Sequence, residues 1–261
     1  MRPDALTVET RARASWEATD LGLALVQTHW KSLCAPWFAI TIPVTLLAFV
    51  LTYLSTRDGN GNWYGSALIW WLKPLYDRVL LHVMSRAVFG EAVSWRDALR
   101  AIPGLLWRSG LFRALTWARF SPRRSFRLPI WQLEGVTGAK RQQRLRALKG
   151  NGAIRLIFVC STFELILLIG VIGLLFMLMP PELVSSRLES FSDSFTTDKV
   201  PFWFEAVYNL IYLFVIPIVE PFYVAAGFML YLNRRTELEG WDIELGFRTL
   251  AARLEAKQAL S

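Results

Sequence analysis

Histidine and cysteine are almost missing from these 261 residues; each occurs twice. His29 and His82 alone cannot build a histidine-rich metal site, and a lone histidine such as His82 is most often simply hydrogen-bonded. No H-E-x-x-H, G-x-S-x-G or G-x-x-x-x-G-K-[ST] pattern occurs. The stretch from Gly135 to Lys140, GVTGAK, has glycine and lysine but neither the P-loop spacing nor a preceding strand. The residues therefore predict no cofactor, no metal and no enzyme. Cys34 and Cys160 both fall near a face predicted to be cytoplasmic, so no disulfide is expected. Residues 1–33 mix both charge signs and lack an apolar stretch ahead of a small-residue cleavage site. The first long apolar run is thus expected to stay in the chain as a span.

What the chain has instead is apolar bulk in long runs. It is 54% hydrophobic and 14% aromatic, with a mean hydropathy of +0.33. Soluble domains hold about 45–50% apolar residues even with glycine counted. Concentration of the excess into a few runs predicts an all-α, polytopic helical membrane protein. About four transmembrane helices are expected, with amphipathic interfacial helices, in a single membrane domain over 1–261.

Residues 1–14 read as a polar tail, and 15–33 as a helix that either lies in the cytoplasmic interface or packs beneath the domain. In it, Trp16, Leu21, Leu25 and Trp30 fall roughly on one face. The first span is 37–54, with Pro43 inside it, followed by a turn-rich loop over 55–65. The second is 66–85, where Pro74 predicts a kink. The third is 156–179, with Gly170 and Gly173 as candidate points of close helix approach. A polar loop over 180–203 leaves room for one short surface helix. The fourth span is 204–232, with a kink expected where Pro217 and Pro221 bracket Glu220. Residues 241–256 read as a cytoplasmic amphipathic helix.

Between spans two and three, residues 86–155 carry fifteen Lys or Arg against only Glu91, Asp97 and Glu134. Arginine interleaved with Leu, Trp and Phe suits helices lying on an anionic membrane surface. Anionic lipids and a membrane-protein partner are the expected contacts, rather than nucleic acid. The positive-inside rule then places the N-terminal tail, this basic section and the C-terminal tail in the cytoplasm of a bacterial inner membrane. Further crossings within 98–120 are the competing topology; Arg100, Arg108, Arg113 and Arg119 would each be expensive to bury.

Several charges fall inside the spans. Counted inward from the cytoplasmic ends, Asp77 and Arg78 lie at the depth of Glu164, and Lys73 at the depth of Glu220. An isolated charge there costs about 2.5–3.5 kcal/mol on insertion scales. The pairs Arg78–Glu164 and Lys73–Glu220, with Asp77 shared, are therefore expected. Two readings stay open: ion pairs that lock helix packing, or a polar cavity that binds an ion, a proton or a lipid head group.

The tail YLNRRTELEGWDIELGFR adds a resemblance. Tyr231, Arg235, Glu239, Gly240, Asp242, Ile243, Glu244 and Leu245 resemble the ending of bacterial membrane proteins similar to the membrane domain of glycerophosphodiester phosphodiesterases. Members usually carry Asp where this chain has Asn233. The resemblance covers the last span and about fifteen residues beyond it. It implies a membrane fold and not the soluble catalytic barrel of some relatives, so phosphodiesterase activity is not carried over. The function expected is a non-enzymatic scaffold or accessory subunit with a basic cytoplasmic face. The alternative is a small transporter or lipid-handling protein that uses the charges within the membrane.

Overall fold

The computed structural model describes residues 13–57, 64–91, 93–108, 115–148, 152–197 and 202–240. Every regular element among them is helical: α1 (Ser15–Arg57), α2 (Tyr64–Trp71), α3 (Lys73–Val88), α4 (Trp95–Arg108), a 3-10 turn (Trp117–Phe120), α5 (Arg124–Gln132), α6 (Gly138–Ala147), α7 (Ala153–Leu178), α8 (Pro181–Thr197) and α9 (Phe202–Glu239). The protein is all-α, and α1, α7 and α9 are each long and apolar enough to cross a membrane. The helix expected over 241–256 lies outside the described residues.

The region 66–85 is interrupted at Leu72, where the kink was expected from Pro74. Pro74 has no N–H, so the helical bond back to the Trp70 carbonyl cannot form. α2 therefore stops at Trp71 and α3 starts at Lys73, with Leu72 between them at φ −81° and ψ 0°. With 8 residues in α2 and 16 in α3, neither reaches the roughly 20 needed to cross alone. Only end to end do they match the expected second crossing.

α1 differs in the opposite direction. The expected 15–33 helix and the 37–54 span follow one another with no loop, as two helices that together cover 43 residues and meet at a kink at His29 (φ −108°, ψ 15°). At about 1.5 Å per residue the two together hold roughly 64 Å of helix, twice the hydrocarbon thickness. The N-terminal part of α1 is packed inside the protein: Ala18, Leu25, Val26 and Leu33 are buried, while Trp16 and Trp30 point outward. Of the face expected from Trp16, Leu21, Leu25 and Trp30, only Leu21 and Leu25 face the core. Spacings of 7, 1 and 7 residues from Ala18 to Leu33 give the buried stripe of an ordinary helix.

α9 is the hub. In its most apolar stretch 78% of residues are buried, against 11% in that of α7, and α9 touches α1, α3, α5 and α7. It continues as one helix through Pro217 and Pro221, where a kink was expected. α1 lies along it, and the two meet end to end. The backbone N–H of Arg13 donates to Asn233 Oδ1 at 2.8 Å, and Asn233 Nδ2 donates back to the Arg13 carbonyl at 2.9 Å.

Close helix approach in lipid depends on small residues, because lipid supplies no hydrophobic drive between helices. A Cβ on Gly22 would sit 2.6 Å from the backbone of Ala226, and one on Gly65 would sit 2.7 Å from the Ala48 carbonyl oxygen. Gly170 and Gly173, expected to serve this purpose, have open space around them. They lie on α7, whose flank of Phe158, Phe163, Ile166 and Ile169 is exposed. The start of α2 is held by Glu205 of α9, whose Oε1 accepts the N–H groups of Gly65 at 3.0 Å and Ser66 at 3.2 Å. These are unpaired donors of a helix N-terminus, where a carboxylate is favoured.

α4 has 14 residues, about 21 Å, too short to cross. Its Ala98 is buried while Trp95 is exposed. α5 departs from the expected surface-lying basic section altogether. Ser125, Phe126, Leu128, Ile130 and Trp131 are buried, and α5 comes so close to α9 that a Cβ on Gly227 would lie 2.3 Å from that of Ser125.

These contacts separate two otherwise similar substitutions. Gly22→Val forces α1 away from α9 and should destabilise the protein by about 1–3 kcal/mol, the usual penalty for overpacking. Gly170→Val should leave stability within about 0.5 kcal/mol, as for changes away from packed features. Thermal unfolding of both variants in detergent measures the difference.

Candidate functional site: a chain of alternating charges beside a cavity

The break at Leu72 places Lys73 and Asp77 at the start of α3, one turn apart on one face. Both are buried, at 5% and 1% exposure. Lys73 Nζ donates to both oxygens of Glu164 on α7, at 2.6 and 2.7 Å. The same Nζ lies 3.1 Å from Glu220 Oε2 on α9. The other oxygen of Glu220 accepts from Arg124 Nη2 at 2.8 Å. Arg124 Nε lies 3.1 Å from Asp77 Oδ2. The result is a line of alternating sign, Glu164–Lys73–Glu220–Arg124–Asp77, drawn from four helices.

Aromatic hydroxyls border this line. Tyr212 donates to Glu164 Oε1 at 2.8 Å, and its ring centroid lies 5.5 Å from Lys73 Nζ. Tyr223 Oη accepts the backbone N–H of Ser125 at 3.3 Å, which fixes the first turn of α5 and with it Arg124. The Arg124 guanidinium lies 5.2 Å from the Tyr223 ring centroid. Buried ion pairs recover their desolvation cost only when their remaining hydrogen-bonding capacity is also met. Glu164 and Glu220 meet that condition well, each with two partners.

The charges at depth thus come together, with one pairing corrected. Lys73 meets Glu220 as expected, but Lys73 rather than Arg78 also takes Glu164. Arg78 is fully buried and turns back along its own helix, where its Nη1 donates to the Pro74 carbonyl at 2.7 Å. Gln132 Nε2 on α5 donates to the Arg78 carbonyl at 2.8 Å. The expected pairing failed because depth alone cannot say which way a side chain leaves its helix. Arg78 follows Asp77 by one residue and so points about 100° away from it.

Arg124 was missed because it sits in the most basic part of the chain. Its one signal is local. The stretch from Phe126 to Trp131 is the most apolar piece between the turn residues Pro122 and Gly135, and such a piece seeks burial.

Beside the line is a cavity of about 190 Å³. Lys73, Arg119, Arg124, Glu164, Glu220, Tyr223 and Cys160 line it, and Trp70 and Phe120 stand at its edge. Arg119 sits in the 3-10 turn. Its Nη2 donates at 2.7 Å to the Trp70 carbonyl, the one left free by Pro74. Its guanidinium carbon lies over the Trp70 ring, 3.8 Å from the centroid.

The residues that carry the tail resemblance form a second network nearer the end of α9. Tyr231 donates to Glu134 Oε1 at 2.7 Å, and Arg144 Nε donates to Glu134 Oε2 at 2.9 Å. Arg144 also pairs with Glu239, which in turn accepts from Arg235 Nη2 at 2.6 Å. The hydrogen bond to Glu134 raises the Arg144 pKa above its ordinary value, against a smaller opposing effect of partial burial. Gly240, at φ 64°, ends the helix in a left-handed turn that glycine favours. Asp242 and Glu244 lie outside the described residues. The network joins α6 and the residues just after α5 to α9.

Comparison with family models, with curated proteins and with solved structures returns no match for this chain.

Glu220 is the member with a cation on each oxygen. Glu220→Ala should therefore cost about 3–5 kcal/mol, the usual result of stranding a buried charge. Glu164→Ala should cost clearly less, because Glu164 is partly exposed and Lys73 keeps Glu220. Apparent melting temperatures in one detergent, measured side by side, test the order.

Proposed function

We propose that this chain is a multi-pass protein of the bacterial inner membrane, with both ends cytoplasmic, that binds a polar ligand at its intramembrane charges. It belongs with small transporters and lipid-handling proteins. The second crossing is the broken pair α2 and α3. The basic section enters from the cytoplasmic side and sends α5 up to the charges. Phosphodiesterase activity forms no part of this proposal.

The observation that carries the reading is the cavity next to the ion pairs. A set of ion pairs that only locked helices together would be sealed. Here one wall is α7, the least packed of the long helices, attached at this level through Glu164. A helix held by one carboxylate among apolar contacts can move when that carboxylate finds another partner. Ligands commonly bind where half-length helices meet in the bilayer, and the α2–α3 break fits that arrangement.

The scaffold reading is second. It draws on α4, whose Trp95 and Arg96 stack at 5.2 Å on an exposed face suited to anionic lipid or a partner.

Cys160 provides the test because it lines the cavity. In a Cys34→Ala background, Cys160 in native membranes should be labelled to completion within hours by a small cationic methanethiosulfonate at mildly alkaline pH, slowly because the thiol lies beside Glu164 and Glu220. An inert Cys160, under conditions that label it fully after denaturation, would mean the cavity is closed to water and would remove the ligand-binding reading.

A further inference from the structure

Arg119 is the one cavity-lining cation with no acidic partner among the described residues. Lys73 and Arg124 are committed to Glu164, Glu220 and Asp77. Arg119 donates instead to a neutral carbonyl and stacks on an indole. Its side chain is 7% exposed, and its Nε has no hydrogen-bond partner. A buried arginine without a counter-charge is costly, and the cost falls when an anion enters beside it.

The mouth of the cavity says what kind of anion. Phe120, next in sequence to Arg119, is 71% exposed, and Trp70 and Trp71 are each 40% exposed. Trp71 and Phe120 meet edge to face at 6.3 Å. On the other side, α7 presents exposed Phe158 and Val159 next to the cavity-lining Ile157 and Cys160. The inside is polar and the rim is apolar. The volume of about 190 Å³ equals roughly six waters at about 30 Å³ each, room for a head group and not for acyl chains.

Resting on the ligand-binding reading above, we propose that the cavity is a binding site for the phosphate of an anionic phospholipid, with Arg119 as the recognising cation. The lipid enters from the side, between α7 and the Trp70–Phe120 edge, and its chains stay outside along α7. The guanidinium offers a phosphate the donors not engaged by the Trp70 carbonyl, which Nη2 keeps. Lys73 and Arg124 add to the positive field without giving up their carboxylates. Basic pockets between membrane helices are known to take acidic lipid head groups.

The experiment uses the full chain, delipidated in detergent, and counts retained lipid by native mass spectrometry. Wild type should retain one phosphatidylglycerol at least tenfold more tightly than phosphatidylcholine. Arg119→Gln should lose that preference, Arg119→Lys should keep most of it, and Lys31→Gln on the exposed side of α1 should keep all of it. Equal retention of the two lipids by wild type overturns the proposal, even if Arg119→Gln fails to fold. So does an unchanged preference in a folded Arg119→Gln. Millimolar inorganic phosphate should displace phosphatidylglycerol weakly. Full displacement would make a soluble anion the ligand and overturn the lipid assignment. A reactive Cys160 together with no Arg119 dependence sinks this inference alone, whereas an inert Cys160 sinks the reading beneath it.

Discussion

One carboxylate, Glu220, holds the middle of this protein together. It takes Lys73 on one oxygen and Arg124 on the other. Both cations are buried, at 5% and 8% exposure, and a buried charge is tolerated best beside one of opposite sign. Satisfying Lys73 draws α3 to α9, and satisfying Arg124 draws α5 in from the basic section. α7 is joined through the other partner of Lys73. Helices that lipid gives little reason to associate are thereby placed at fixed depth and fixed rotation.

One proline and several small residues do the rest of the positioning. Pro74 ends α2, turns Lys73 inward at the first residue of α3, and leaves a carbonyl at Trp70 that only an outside donor can fill. Gly22, Gly65 and Gly227 let α1, α2 and α5 come to backbone contact. The same economy appears at the start of α2, where one carboxylate, Glu205, serves two backbone donors and a serine hydroxyl.

How much of this can be read from residues alone depends on whether the signal is local. Apolar run length revealed α7 and α9 and the apolar half of α1, because crossing a bilayer needs only length and composition. Depth counted from the basic flanks brought Lys73, Asp77, Glu164 and Glu220 to the same region. It failed for Arg78, whose direction depends on rotation about the helix axis. It missed Arg124, because fifteen cations in one section make any one of them look like surface. Gly170 and Gly173 looked like contact points because spacing is visible in a sequence, whereas the identity of the neighbouring helix is not. The tail residues Tyr231, Arg235 and Glu239 were noticed for their pattern, but their partners Glu134 and Arg144 lie about a hundred positions earlier.

The mutual bonds between Arg13 and Asn233 connect residues 220 positions apart. A helix near the start of the described residues is therefore fastened to one near their end. Without α9, Gly22 has no surface to lie against, and Lys73 and Arg124 lack their common anion. The packing described above therefore cannot close until α9 is in place.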